Sequence, residues 1–128
     1  AAQVSELTGG AKVDVVYDAV GRATLNASLD SLRPRGLLVS FGATSGVPAP
    51  IDVGTLNAKG SLYVTRPSLA AHTATVAEYQ QRAQDVLDAV ARGVIKPHVW
   101  RSYALADVAV AHADLEQGRS QGAIILVP

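Results

Sequence analysis

The sequence predicts an α/β fold organised around a parallel sheet, and two apolar runs with a leucine stripe between them carry that prediction. Val13, Val15, Val16 and Val20, with Tyr17 and Ala19 among them, make an almost unbroken apolar run. A strand covered on both faces of a parallel sheet requires such a run. Leu25, Leu29 and Leu32 recur at spacings of four and three, which places one apolar stripe along a helix. Gly36-Leu37-Leu38-Val39-Ser40-Phe41-Gly42 is a second apolar run that stops on glycine. A strand, a crossover helix and a parallel strand form a βαβ unit. Open sheets of this kind bind ligands beyond the carboxyl ends of their strands. Here those ends are Asp18-Ala19-Val20-Gly21 and Ser40-Phe41-Gly42-Ala43.

With 128 residues the chain is about the size of one domain and long enough to bury a core. It is 48% hydrophobic and 17% charged, the balance of a globular protein and not of a disordered one. Eleven basic residues offset eleven acidic ones, so there is no electrostatic case for nucleic acid or an anionic membrane as partner. With no cysteine the chain has no disulfide framework, zinc knuckle or thiol nucleophile, which fits a cytoplasmic location. No apolar run approaches the roughly 20 residues that span a bilayer, and the N-terminus shows no signal-peptide pattern.

The remaining elements follow in order. Ala1 to Gly10 reads as the last turns of a helix, with Val4 and Leu7 on one face and glycine after them. A helix tail normally precedes the next parallel strand, so the chain is expected to begin in mid-pattern, as a piece of a larger α/β protein. Ala43 to Pro50 is dense in glycine, proline and small polar residues and reads as a loop. A short helix is expected around Val53 to Asn57. Gly60 to Thr65 reads as a third strand, stopped by Arg66-Pro67, at a sheet edge where another subunit can pair. Thr75-Val76-Ala77-Glu78 fits a capping box. Val76, Tyr79, Ala83, Val86, Leu87 and Val90 then follow one helical face, and Gly93 ends it. An extended segment is expected from near Pro97 to Tyr103. Asp107 is the expected N-cap of a helix running to about Gln117, with Gly118 as its stop. Gly122 to Pro128 reads as a buried strand.

Few of these residues suggest chemistry by themselves. His72, His98 and His112 stand in no metal-ligand spacing and read as ordinary histidines. There is no G-x-S-x-G elbow, and Asp85 and Asp88 lie on a helix whose charges face solvent. There is also no G-x-G-x-x-G. Gly9-Gly10 precedes a strand, whereas a phosphate-binding turn follows one, so any pyrophosphate cradle lies outside this chain. Asp18 is placed to orient backbone or a ligand hydroxyl, or to cap the following turn. The strand ends are the stronger candidates, because three parallel strands ending on one side line one crevice. They are Ala19, Val20 and Gly21; Ser40, Phe41, Gly42 and Ala43; and Val64, Thr65 and Arg66. Their backbone carbonyls and N–H groups are expected to face a flat polar ligand. The plainer alternative is that strands simply end in small residues.

The segments VDVVYDAVG, SLDSLRPRGLLVSFGATSG, LNAKGSLYVTRPSL and LADVAVAHADLEQGRSQGAIILVP resemble the NADPH-dependent quinone oxidoreductases. These are zinc-free members of the medium-chain dehydrogenase/reductase superfamily, and the resemblance runs from about Leu7 to Pro128. It implies a C-terminal fragment. Residues 1–93 would be the second half of a Rossmann domain, a doubly wound parallel sheet whose glycine-rich first half is missing. Residues 94–128 would be the helix–strand segment that returns to a GroES-like catalytic domain. The resemblance implies NADPH as cofactor, its nicotinamide half touching Ala19, Val20, Ser40, Phe41, Gly42, Ala43, Val64, Thr65 and Arg66. Relatives often have serine where Ala19 stands. They also carry a basic residue near the end of the last helix, where this chain has Gly118 with Arg119 one place later. Neither a catalytic residue nor a metal ligand is expected in this half. The implied partners are a small quinone or enone substrate and a second subunit joined through Ser61 to Thr65.

Two other readings stand beside this one. The leucine-rich helix followed by R-P-R-G-L-L-V also resembles the middle of a class I methyltransferase, which would bind S-adenosylmethionine. That fold ends in an antiparallel hairpin, which makes the later strands the discriminating feature. The chain could alternatively be a non-catalytic dimerisation and cofactor-supporting module.

Overall fold

The computed structural model describes residues 1–128. Contacts within the chain divide it into two units, Ala1–Ala74 and Thr75–Pro128. The first unit contains α1 (Ala2–Leu7), β1 (Val13–Asp18), α2 (Leu25–Ser31), β2 (Leu32–Ser40), α3 (Val53–Ala58), β3 (Tyr63–Thr65) and α4 (Leu69–His72). Its strands form one sheet in the order β1-β2-β3, and both pairings are parallel. Val15, Leu37 and Tyr63 lie side by side, as do Val16, Leu38 and Val64.

That register decides which side chains are buried. Leu25 and Leu29 from α2 join Leu32, Leu38 and Leu62 in the core; Leu32, expected on the helix, is instead extended and opens β2. Val13, Val16, Ile51, Leu56 and Val64 pack around them. Burying a leucine side chain fully contributes about 2 kcal/mol, so these five supply most of the apolar stabilisation of the sheet. The other face of β1 departs from expectation. Val15 and Tyr17 are exposed, Tyr17 by 73%, so this strand is covered on one face and not on both. The register shifts between Val13 and Val15, and beyond it alternation of side chains leaves Val15 and Tyr17 on the face opposite the packed Val16. The strand also ends at Asp18, before Val20.

β2 begins at Leu32, four residues before the expected Gly36. Val13 pairs with Leu32 but Val15 pairs with Leu37, so two steps along β1 match five along β2. The intervening chain bulges outward. Pro34 has no N–H to give the ladder, and Arg35 adopts φ of 61° with its N–H bonded to Gly60 O at 2.8 Å.

The second unit contains α5 (Val76–Ala91), β4 (Val99–Ala104), a 3₁₀ turn (Leu105–Asp107), α6 (Val108–Glu116) and β5 (Ala123–Val127). The capping box is present at the start of α5. Thr75 Oγ1 accepts the Glu78 N–H, and the Glu78 carboxylate accepts the Thr75 N–H. Asp107 occupies the N-cap position of α6 but makes no side-chain cap bond, because the 3₁₀ turn already leads the chain in. β4 and β5 pair in parallel as a separate two-stranded sheet. β5 is not the buried strand its composition suggests. Ile125, Leu126 and Val127 are 36–49% exposed, since one neighbouring strand and one short helix cannot cover both its faces. No helix is long and apolar enough to cross a membrane.

Candidate functional site

All three parallel strands of the first unit end on one side, which brings Asp18, Ser40 and Thr65 to neighbouring chain ends. The turns after β1 and β2 are in backbone contact. Phe41 N–H donates to Asp18 O at 2.9 Å, and Gly42 N–H donates to the same oxygen at 3.3 Å. Thr44 and Ser45 N–H groups return to Ala19 O and Val20 O at 3.3 and 2.9 Å. Ser45 Oγ also donates to Val20 O at 2.7 Å and accepts the Ala23 N–H at 3.0 Å. A Cβ on Gly42 would lie 2.4 Å from Ala19 O, and one on Gly21 would lie 2.7 Å from Gly46 O. Glycine at both positions is what permits so close an approach.

This lacing changes how the candidates can act. The carbonyls of Ala19 and Val20 and the N–H groups of Phe41 and Gly42 are engaged with one another's turns. These backbone groups, which the strand topology suggested would face a ligand, make hydrogen bonds within the chain. Side chains are what the crevice presents. Phe41 is 53% exposed and Val20 is 38% exposed, and the Phe41 ring meets Tyr17 edge-on at 6.5 Å between centroids. Ala19 and Ala43 are half-buried, and Ser40 is buried.

From the third strand, Arg66 reaches back to β2. Its Nη1 lies 3.3 Å from each of three acceptors, Ser40 O, Ser40 Oγ and Gly42 O. Val64 is half-buried and packs on the leucine core, while Thr65 is exposed.

Asp18 is the residue whose weight in this site the sequence understated. Its carboxylate is 4% exposed. It accepts the N–H groups of Val20 and Gly21 at 2.8 and 2.9 Å, Thr24 Oγ1 at 2.8 Å and Ser28 Oγ at 2.7 Å. Burial alone would push this carboxyl up. The bonds from Gly21, Ser28, Thr24 and Val20 outweigh it and hold the pKa at about 2. The signal was present as an Asp at a strand end with glycine three places on and hydroxyl residues six and ten places on. An Asp side chain binding backbone N–H groups two and three residues ahead is a common local device.

Arg119 lies in the second unit. Its Nη2 pairs with Asp114 Oδ1 at 2.9 Å. Asp114 is buried and also receives the Tyr103 hydroxyl. Partial burial, together with that bond, pushes the Tyr103 phenol up. Arg101 joins the cluster, its guanidinium 4.6 Å from the Trp100 ring centroid and 3.7 Å from Asp114 Oδ2. An apolar hollow lined by Ala111, His112, Leu115, Ile124 and Leu126 lies in this same unit and contains none of the strand-end candidates. No three His, Asp or Glu side chains come together as a metal-ligand group.

Residues 1–126 match the protein family described as zinc-binding dehydrogenase. The quinone oxidoreductase of Salmonella typhimurium is 48% identical over 128 residues, which is 98% of this chain and 39% of that protein. A mycobacterial protein solved in complex with NADPH superimposes with a TM-score of 0.88 at 47% identity, over 99% of this chain and 39% of its own. The Escherichia coli quinone oxidoreductase, solved in complex with NADPH, gives a TM-score of 0.87 at 46% identity, over 99% of this chain and 40% of its own. The chain thus spans about two fifths of the length of the relatives it matches. The methyltransferase alternative loses its ground here, because every strand pair is parallel and no terminal antiparallel hairpin forms.

Proposed function

Since the chain belongs to the zinc-binding dehydrogenase family, we propose that it is the carboxyl-terminal part of an NADPH-dependent quinone oxidoreductase. Its strand-end crevice would be the nicotinamide side of the cofactor site. The observation that supports this most is the convergence of three parallel strand ends in a chain that superimposes closely on relatives solved with NADPH.

The residues present fit the nicotinamide end. Val20 and Phe41 offer exposed apolar surface after neighbouring strands, and Ser40, Gly42, Ala43, Thr65 and Arg66 lie at the same set of strand ends. When bound, NADPH supplies the hydride that reduces a quinone or related enone. The chain's own residues orient the ring and shield it from water. Arg119 would help to hold the cofactor, Asp114 fixing its guanidinium. Residues 1–93 would be the partial dinucleotide-binding domain, and residues 94–128 the segment that returns to the catalytic domain. This chain contributes no metal ligand and no catalytic side chain to the proposal.

β3 lies at the sheet edge with Tyr63 62% exposed, which supports pairing of two subunits through Ser61 to Thr65. The protein we propose is a cytoplasmic homodimer that binds neither nucleic acid nor membrane.

The test is Phe41→Ala in the full-length protein. Loss of one aromatic contact is expected to weaken NADPH binding about tenfold, read as Kd by fluorescence titration. An unchanged Kd would remove the cofactor assignment. The 128-residue chain alone is expected not to turn over NADPH with a quinone, because it contains no glycine-rich phosphate turn. Sustained NADPH oxidation by purified chain would show instead that this unit is active by itself.

A further inference from the structure

Asp18 is attached to both turns of the strand-end crevice, and by different atoms. Its carboxylate holds the first turn, taking the N–H groups of Val20 and Gly21 at 2.8 and 2.9 Å. Its backbone carbonyl holds the second, taking those of Phe41 and Gly42 at 2.9 and 3.3 Å. Thr24 and Ser28 then fix the carboxylate from the side of α2. Thr24, at the N-cap position, makes no side-chain cap bond to its own helix, its hydroxyl being turned to Asp18 instead. A carboxylate has about four lone-pair sites, and four separate donor groups meet this one. The group is therefore fully engaged within the protein and has no lone pair left for a ligand.

We infer that Asp18 is a positioning residue that sets the spacing of Val20 and Phe41, and through them the seat of the nicotinamide. This rests on the proposed function above. The second turn is also laced to the first by the Thr44 and Ser45 N–H groups and the Ser45 hydroxyl. Asp18 is the one residue whose side chain and main chain each take hold of a different turn, and its carboxylate, the part a substitution removes, fixes the Val20 turn relative to the carbonyl that holds Phe41. The residue transfers no proton and touches no substrate. Its removal therefore bears on cofactor binding and leaves quinone binding alone.

The experiment compares Asp18→Ala, Asp18→Asn, Phe41→Ala and Asp14→Asn in the full-length protein. Asp14 pairs with Arg33 at the surface and serves as a reference expected to behave as wild type. Asp18→Ala is expected to raise KM for NADPH roughly 10- to 100-fold, the scale on which small misplacements act, with KM for quinone unchanged. Asp18→Asn keeps the shape but loses the charge and turns one accepting oxygen into an NH2 donor, which the Thr24 and Ser28 hydroxyls can accept by rotating, and its expected rise is smaller, about threefold. If the alanine variant does not fold, the asparagine variant decides. A raised NADPH KM supports the inference, and wild-type values for both substrates overturn it. A folded Asp18→Ala protein with lowered Tm and an unchanged NADPH KM likewise reduces Asp18 to a stability role. If Phe41→Ala weakens NADPH and neither Asp18 variant does, the cofactor assignment stands and the positioning role fails. If Phe41→Ala itself has no effect, the assignment fails and the inference falls with it.

Discussion

In residues 1–74, five leucines from α2, β2 and the start of the third strand are almost wholly removed from water. In residues 75–128, the buried residues are Ala111 and Asp114, neither of them large and apolar. Yet α5 has a regular apolar face, and Val76, Tyr79 and Leu87 on that face are 73%, 61% and 62% exposed. The contrast separates two questions that a periodic sequence runs together. Periodicity says which side of an element seeks cover. It does not say whether the same stretch of chain supplies that cover. Tyr17 on β1 makes the same point inside the well-packed unit.

The comparison can be tested by urea unfolding of the chain. The largest effect is expected at the core of the first unit. Leu38 is fully buried, and Leu38→Ala should cost about 3 kcal/mol. An effect below about 1 kcal/mol would mean that the sheet is not the stable element we describe.

An intermediate effect is expected from acid. Asp18 has a folded pKa of about 2 against an ordinary value of 3.8, so its carboxylate favours the folded state when ionised. That contribution is complete above about pH 5 and is lost as pH falls through about 2. The difference of nearly two units corresponds to about 2 kcal/mol. Asp18→Asn should remove this pH dependence between pH 5 and 2. Retention of the same slope by the variant would assign it to other carboxylates. Asp30, lowered by its hydrogen bond to Lys59, is the first of those to examine.

The smallest effect is expected on α5. Leu87→Ala in the isolated chain should change stability by no more than about 0.5 kcal/mol, as surface substitutions do. A cost approaching that of Leu38→Ala would show that α5 is covered in solution, and the contrast between the two regions would disappear.

The parts of the fold that were legible beforehand are those fixed over short stretches of chain. Thr75 and Glu78 stand three residues apart, and their reciprocal bonds need nothing from elsewhere. Leu25 and Leu29 announce one helix face and reach the core, whereas Leu32, expected on the same face, reaches it as the first residue of β2. The parallel β1–β2 pairing was equally readable, because two apolar runs with a helix between them have few ways to pair. Other features depend on distant residues. The exposure of Val15 and Tyr17 is invisible in an apolar run, which looks the same whether its cover lies within the chain or beyond it. The outward bulge at Arg33–Gly36 depends on Gly60 accepting the Arg35 N–H. α4 has four residues, too few to show a period. The convergence of the three strand ends follows from the parallel topology. The engagement of their backbone groups with one another was not visible, since it depends on Ser45 and Thr44 folding back across the β1 turn.

The contact between Gly21, Gly42 and the opposing turns also marks out how this crevice can diversify. A first side-chain carbon at either position would sit inside the neighbouring backbone, and at Gly21 it would in addition meet an unfavourable φ of 89°. The two turns are therefore a fixed frame, and variation at this candidate site must come from the side chains mounted on it. A combinatorial library aimed at altered selectivity would hold 21 and 42 constant and vary 20 and 41. Those are the positions where a new side chain meets solvent and not another turn of the same chain.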